Sequence, residues 1–329
     1  MSLKILLTGK NGQIGRDLQV LLSKLGTVTA LDREQLDLAT PDSIRAAIRD
    51  LRPNLIVNAA AYTAVDRAES EPELAQAVNG DALEVMAQEA REIGAVIVHY
   101  STDYVFDGTK QTPYVETDAT NPINVYGKTK LAGEQALQSS GVPYIIFRTS
   151  WVYATRGRNF LLTILKLASE QEELRIVDDQ IGAPTWSRTV ADATCRVLGR
   201  IVDSKSTRSS LEKRSGIYHL TAAGEATWFG FARVILEECA SAPKLERWYM
   251  EATQGRPLKT KRVIPIPSAE FRVPARRPAN SLLSNSKVNS VFGVELPDWR
   301  TDLRLAILED PLGDNLIAVS KMEIRPPDS

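Results

Sequence analysis

Along the first half of the chain, short uninterrupted apolar runs alternate with stretches whose apolar residues recur every three or four positions. The runs are KILLTG (4–9), TVTALD (27–32), NLIVNAAA (54–61), AVIVHYS (95–101) and PYIIFRTS (143–150); helical patterns cover 12–25, 41–51, 72–93 and 125–138. Strand and helix in strict turn imply right-handed crossovers, and so an α/β fold with a doubly wound, Rossmann-type parallel sheet. The runs are apolar throughout rather than alternating, as strands covered on both faces are. Beyond residue 150 the rhythm loosens, and helical patterns at 160–170, 187–202 and 228–240 are separated by Pro-rich and basic stretches. The expected division is a dinucleotide-binding domain over 1–150, to which 187–203 returns, and a smaller substrate-binding lobe over 151–329. Two stretches read as loops: SKSTRSSLEKRS (204–215), a solvated insertion, and QGRPLKTKRVIPIPSAEFRVPARRP (254–278). The second carries seven Lys or Arg against one Glu, and is either an exposed basic loop or a clamp for a phosphorylated substrate.

The sharpest local signal is LLTGKNGQIG (6–15), which sets Gly9, Gly12 and Gly15 between a predicted strand and a predicted helix. Such a turn lets backbone approach a diphosphate, which the free N–H groups and dipole of the helix N-terminus then stabilise. Asp32 ends the second run about 20 residues on, where a carboxylate accepts hydrogen bonds from ribose hydroxyls. Arg33 beside it and Lys10 inside the turn can also accommodate a 2′-phosphate, so NADPH and NADH both stay open, with a lean to NADPH.

Composition narrows the field. The 329 residues are 43% hydrophobic, enough for a sizeable core, and 40 basic against 41 acidic residues leave a net charge of -1. No overall basic field exists to draw nucleic acid or an anionic membrane surface. Cys195 and Cys239 lie in helical patterns and read as free thiols in a reducing compartment. The start, MSLKILLTG, has neither a membrane span nor a secretory pattern, so a cytoplasmic protein is expected. With His99 and His219 alone, a His-based triad or an HExxH zinc site is unsupported.

The fourth run delivers Ser101, Thr102 and Asp103 to a strand's carboxyl end, where open α/β sheets bind ligands. In NVYGKTKLAGE (124–134), Tyr126 and Lys130 stand four apart on one helical face. Alone, the pair is within reach of chance. Beside a dinucleotide site it gains meaning, because an ammonium near a phenol lowers a pKa that is otherwise about 10. Hydride from the cofactor, a proton from Tyr126 and an orienting hydroxyl from Thr102 would then reduce a carbonyl.

These motifs, with NAAAYTAVDRAE (58–69), STDYVF (101–106), FRTSWVY (147–153), VDDQIGAPT (177–185) and RRPANSLLSNSK (276–287), resemble the sugar-nucleotide reductases of the extended short-chain dehydrogenase/reductase family. The likeness runs from about residue 3 to about 308. It implies NAD(P)H-dependent reduction of the C4 keto group of dTDP-4-dehydro-L-rhamnose. It also implies that Gly12, Gln13 and Ile14 hold the diphosphate, Asp32 the ribose, and Asp37 with Leu38 the adenine. Ala61, Tyr62 and Thr63 would line the path to the nicotinamide, and Lys130 would meet its ribose. Thr102, Asp103 and Trp151 would touch the sugar, and Arg277 and Asn280 the nucleotide or diphosphate of the substrate. On its own residues Trp151 reads as core; only the resemblance makes it a contact. The family is associated with Mg²⁺, but no compact carboxylate cluster is visible and no metal site is predicted. A homodimer is compatible with the sequence. Two alternatives stay open: an epimerase or reductase of another sugar nucleotide, and a non-catalytic dinucleotide-binding protein resembling the regulatory subunit of methionine adenosyltransferase.

Overall fold

The computed structural model describes residues 3–202, 207–241 and 247–308. The five apolar runs are the five strands β1 (Lys4–Thr8), β2 (Thr27–Leu31), β3 (Leu55–Asn58), β4 (Val96–Thr102) and β5 (Tyr144–Thr149). A sixth strand, Gly216–His219, adds beside β5, and the order across the sheet is β2, β1, β3, β4, β5, 216–219, every pair parallel. The order reverses between β1 and β3, the place where a doubly wound sheet opens a crevice at its carboxyl edge.

The helices of this half are α1 (Gln13–Leu22), α2 (Pro41–Leu51), α3 (Val65–Ala68), α4 (Pro72–Gln76), α5 (Ala82–Ile93) and α6 (Val125–Ser139). Side chains alternate across each strand, so one set faces each way. Ile5, Leu7, Val57 and Val98 pack under Leu18, Leu21 and Leu22 of α1 and under Val190, Val197 and Leu198 of the helix Ser187–Val202. Leu6, Ile56, Ile97 and Ile146 face the other way, against Ile44 and Ile48 of α2, Leu83 and Met86 of α5 and Leu137 of α6. A separate cluster, with Tyr153, Leu161, Leu165, Phe231, Ile235, Trp299 and Leu303, forms the core of the second half.

The single helical pattern over 72–93 is realised as α4, a π-helical segment at Ala77–Asp81, and α5. The π segment holds Asn79, fully buried, which accepts from the Tyr62 N–H (2.9 Å) and donates to the Tyr62 carbonyl and to Thr129 of α6 (3.1 Å each). It fastens the loop after β3 to α6, a usual place for a π-bulge.

Both predicted loops need correcting. Thr207–Glu212 is a helix, because Leu211 is buried in the sheet's core cluster; 203–206 lie outside the described residues. Within 254–278, Arg262–Ile266 is a strand paired in parallel with Glu173–Val177. Its cations are drawn to nearby carboxylates: Arg256 to Glu170, Lys261 to Glu172 and Arg262 to Glu173. The tail after 308 lies outside the described residues. Cys195 and Cys239 are free thiols, and no described helix is long and apolar enough to cross a membrane.

One buried ion pair ties α6 to the sheet. Arg148 of β5 meets the Glu134 carboxylate through both Nε (2.9 Å) and a terminal nitrogen (2.6 Å), with both residues almost wholly excluded from solvent. Removing one partner strands a buried charge. Arg148→Met is therefore expected to cost about 3–5 kcal/mol, whereas replacing both partners with apolar residues costs far less. Thermal midpoints of the single and double variants check this, and equal losses in the two would contradict it.

Candidate active site

The site begins at the turn after β1. Gly9 adopts φ +69°, and a Cβ there would stand 2.8 Å from the Ala60 backbone, so the β1 and β3 ends approach more closely than any side chain permits. Gly15 serves the helix instead, since its Cβ would fall 2.0 Å from the Gly9 carbonyl oxygen; without one, the first turn of α1 seats directly on the glycine turn. At the start of α1 no side chain caps the helix and no acidic residue occupies the first turn. Its leading N–H groups are thus available to an anion.

A cavity of about 720 Å³ runs from this helix end past the carboxyl edges of β3, β4 and β5. Gly9, Gly12, Gln13, Ile14, Asp32 and Arg33 line one end. Ala61 and Thr63 line its middle, and Thr102, Asp103, Tyr126, Lys130 and Trp151 line the other end. Asp32 lies 3.1 Å from Lys10, whose hydrogen bond holds that carboxyl below its ordinary range.

At the far end, the Thr102 hydroxyl donates to Asp103 (2.9 Å) and accepts from the Tyr104 N–H (3.1 Å). Burial pushes the Asp103 carboxyl up to about 6, against hydrogen bonds from Ser281 and Thr102. Tyr126 sits in the first turn of α6, a helix capped by Asn124, whose amide oxygen accepts from the Gly127 N–H (2.8 Å). The same amide donates to the Arg276 carbonyl (2.8 Å), binding the second half of the chain to the helix start. Tyr126 meets Tyr104 edge to face at 5.6 Å. Burial, then the Asp103 charge, raises the Tyr126 phenol above its ordinary range, with Thr102 pulling the other way.

Lys130 departs from expectation. It shares the inner face of α6, but its Nζ donates to the Tyr100 carbonyl (2.6 Å) and meets His99 Nε2 (2.9 Å). Burial brings Lys130 down to about 7, opposed by the Glu134 charge.

Trp151 lies just past β5 with φ +48°, an uncommon conformation for a residue with a side chain. Its ring stacks on Trp228 (centroids 3.4 Å, planes 6° apart), and its other neighbour is Gly182, where a Cβ would come within 2.4 Å of the indole. The strained backbone is held by this fit, and it sets the indole at the cavity wall.

Five expected contacts are engaged elsewhere. Leu38 is buried in the core against α2, and Asp37 accepts from the Ala39 N–H (3.0 Å) and lies 3.7 Å from Arg33. The Tyr62 hydroxyl donates to Glu71. Arg277 forms a two-point ion pair with Asp66 (2.8 and 3.1 Å), and the Asn280 amide donates to the Lys110 and Thr112 carbonyls. None of the five lines the cavity. Lining residues that the sequence reading missed include Ser150, Gly157 and Arg158. Ser150 follows from its place at a strand's carboxyl end. Gly157 and Arg158 carry no such signal: they arrive on a loop fastened to α1 by Arg156, which donates to the Gln13 carbonyl (3.0 Å), and by Asn159, which donates to the Gln13 side chain (2.9 Å). Among the described residues no group of three or more His, Cys, Asp or Glu side chains is placed to hold a metal ion.

Residues 3–310 match the model of the RmlD substrate binding domain family. The chain is 47% identical over 305 residues to the dTDP-4-dehydrorhamnose reductase of Burkholderia thailandensis, covering 93% of this chain and 98% of that one. It is 44% identical over 313 residues to the dTDP-4-dehydrorhamnose reductase of Escherichia coli, with the same coverage. Among solved structures it resembles the Bacillus anthracis dTDP-4-dehydrorhamnose reductase in complex with NADP, with a TM-score of 0.78, 32% identity and coverage of 92% and 98%. A UDP-glucose 4-epimerase from Thermus thermophilus, 20% identical with a TM-score of 0.71, shares the Rossmann-type fold. On family match and relatives together, the chain belongs to the dTDP-4-dehydrorhamnose reductase family.

Proposed function

We propose that the protein uses NADPH to reduce the C4 keto group of dTDP-4-dehydro-L-rhamnose, giving dTDP-L-rhamnose, with Tyr126 as proton donor. The observation that carries this reading is the sharing of one cavity by an uncapped helix N-terminus and the side chains of Thr102, Tyr126 and Trp151. The residues fit the cofactor, since the Gly9–Ala60 approach leaves backbone rather than side chain at the helix end. Gly12, Gln13 and Ile14 would hold its diphosphate through N–H groups, and Asp32, Arg33 and Lys10 its adenosine end. Ala61 and Thr63 would flank the path inward, and Lys130 would meet the nicotinamide ribose. When bound, NADPH supplies the hydride.

The chain's own residues supply the rest. Thr102 orients the keto oxygen, and Tyr126 gives that oxygen its proton as negative charge develops there. The raised phenol keeps Tyr126 protonated at neutral pH, so the donor is loaded before reaction. Trp151, stacked on Trp228 and packed against Gly182, presents the edge of its indole to the sugar's end of the cavity. A partner-regulating, non-catalytic role would require no such convergence of hydroxyls, and the relatives with 47% and 44% identity bear the reductase name.

Two outcomes are expected. Tyr126→Phe should lower kcat by roughly 10²–10⁴-fold while leaving NADPH affinity within a few fold, since the glycine turn is untouched. The measurement is NADPH absorbance with enzymatically generated dTDP-4-dehydro-6-deoxy sugar and its epimerase, with a fluorescence titration for the cofactor. Unchanged turnover would remove Tyr126 from the chemistry, and a wild type that oxidises no cofactor would remove the reaction.

The second concerns Asp103, whose folded-state pKa of about 6 lies above its ordinary 3.8. A raised pKa means that the group's favourable contribution is complete below about 4 and is lost as pH rises through 6. Asp103→Asn, which mimics the protonated acid, should therefore raise the thermal midpoint relative to wild type at pH 7.5 and much less at pH 4.5. An equal offset at both pH values would contradict the assignment.

A further inference from the structure

Below the cavity the sheet carries a row of buried polar side chains, of which the proposed reaction uses only the last. Thr8 of β1, Asn58 of β3, His99 of β4 and Lys130 of α6 are each 0–1% exposed. Thr8 donates to Asn58 Oδ1 (2.5 Å), Asn58 Nδ2 meets His99 Nδ1 (3.1 Å), and His99 Nε2 meets Lys130 Nζ (2.9 Å).

The first amide sets the direction of the row. The Ala60 N–H points at Asn58 Oδ1 (3.3 Å), and so does the Thr8 hydroxyl. Turning the amide over would set its NH₂ against a backbone donor. Asn58 Nδ2 is therefore the donor to His99, and His99 Nδ1 accepts. A neutral imidazole that accepts at Nδ1 carries its one proton on Nε2. That proton points at Lys130 Nζ, where an ammonium has no lone pair to receive it and an amine does. The other partner of Nζ, the Tyr100 carbonyl, only accepts, and an amine still has N–H groups to satisfy it.

We propose that His99 is a positioning residue that holds Lys130 as a neutral amine in the cofactor-free protein, so that the lysine becomes a cation only by giving up its hydrogen bond from His99. The charged groups around it do not oppose this strongly. Glu134, one turn along α6, favours the cation, but its carboxylate is taken up by Arg148 of β5. From β4 the facing titratable group is His99 itself, and from β3 the row presents only the neutral Asn58. Burial also lowers His99 well below its ordinary range and Lys130 to about 7, and so favours the uncharged form of each.

The inference rests on the proposed reaction only for its consequence, that the charge beside Tyr126 is set by pH and site occupancy; the charge state itself is independent of it. The test is a ¹H–¹³C NMR titration of the full chain labelled at lysine Cε, without cofactor. One lysine resonance, absent in Lys130→Met, should titrate near pH 7, well below the ordinary lysine value of about 10.4. In His99→Gln the amide can turn its oxygen toward an ammonium, so the same resonance should move up by about one pH unit or more, a tenfold change in the protonation equilibrium. A Lys130 resonance that titrates with the other lysines in wild type overturns the proposal with no variant needed, and so does an unmoved resonance in a folded His99→Gln. Because no substrate enters the titration, its failure would leave the reductase reading intact, and loss of that reading would leave the titration standing.

Discussion

The site depends on how α6 is attached to the sheet. Apolar contacts alone would let a helix slide or rotate by a fraction of a residue, since hydrophobic burial is not directional. Here directional links remove that freedom. Glu134 is gripped by Arg148 through two hydrogen bonds, Lys130 by the Tyr100 carbonyl and His99, and Asn124 fixes both the first turn and the Arg276 carbonyl. Each link desolvates polar atoms, and a buried ion pair is often no more stabilising than an apolar replacement. What these links secure is the rotation of α6, which decides whether Tyr126 points at the end of β4 or away from it.

A second constraint works at the other end of the cavity by omission. The first turn of α1 has neither a capping side chain nor an acidic residue, although either would stabilise an isolated helix. Leaving those N–H groups free costs stability in the empty protein and makes the helix end receptive to a diphosphate. Gly9 and Gly15 make the arrangement possible, because the strand end, the turn and the helix meet backbone to backbone. The loop that brings Arg158 is then clasped to Gln13, so that the second half of the chain also bears on the same helix end.

What was legible in the sequence was local. Strands β1 to β5 announce themselves as continuous apolar runs, and the glycine turn by its spacing, because neighbours in sequence decide both. The place of Thr102 at the cavity follows from the rule that ligands meet the carboxyl ends of parallel strands, whereas Trp151 reached it only through the resemblance. What was not legible shares another cause, the partner far away in the chain. Arg277, a substrate contact by the resemblance, is paired in this structure with Asp66, over 200 residues earlier. Tyr62 and Asn280 likewise find their partners through the fold. The basic stretch after 254 read as a loop because its Pro residues mask a strand that exists only beside Glu173–Val177. Residues 207–212 read as solvated because one buried leucine, Leu211, carries little weight among serines and charges.

The Tyr126–Lys130 pair also depends on partners outside its helix. Four residues on a helix face do bring two side chains together, but an ammonium goes where its hydrogen bonds are, and here those are offered by β4. Burial then acts on every titratable group at this end of the cavity in one sense. Tyr126 and Asp103 are pushed up, Lys130 and His99 down, each toward its uncharged form. Asp103, at about 6, is still largely ionised at neutral pH, and in so dry a setting its charge bears on the Tyr126 phenol more strongly than it would in water.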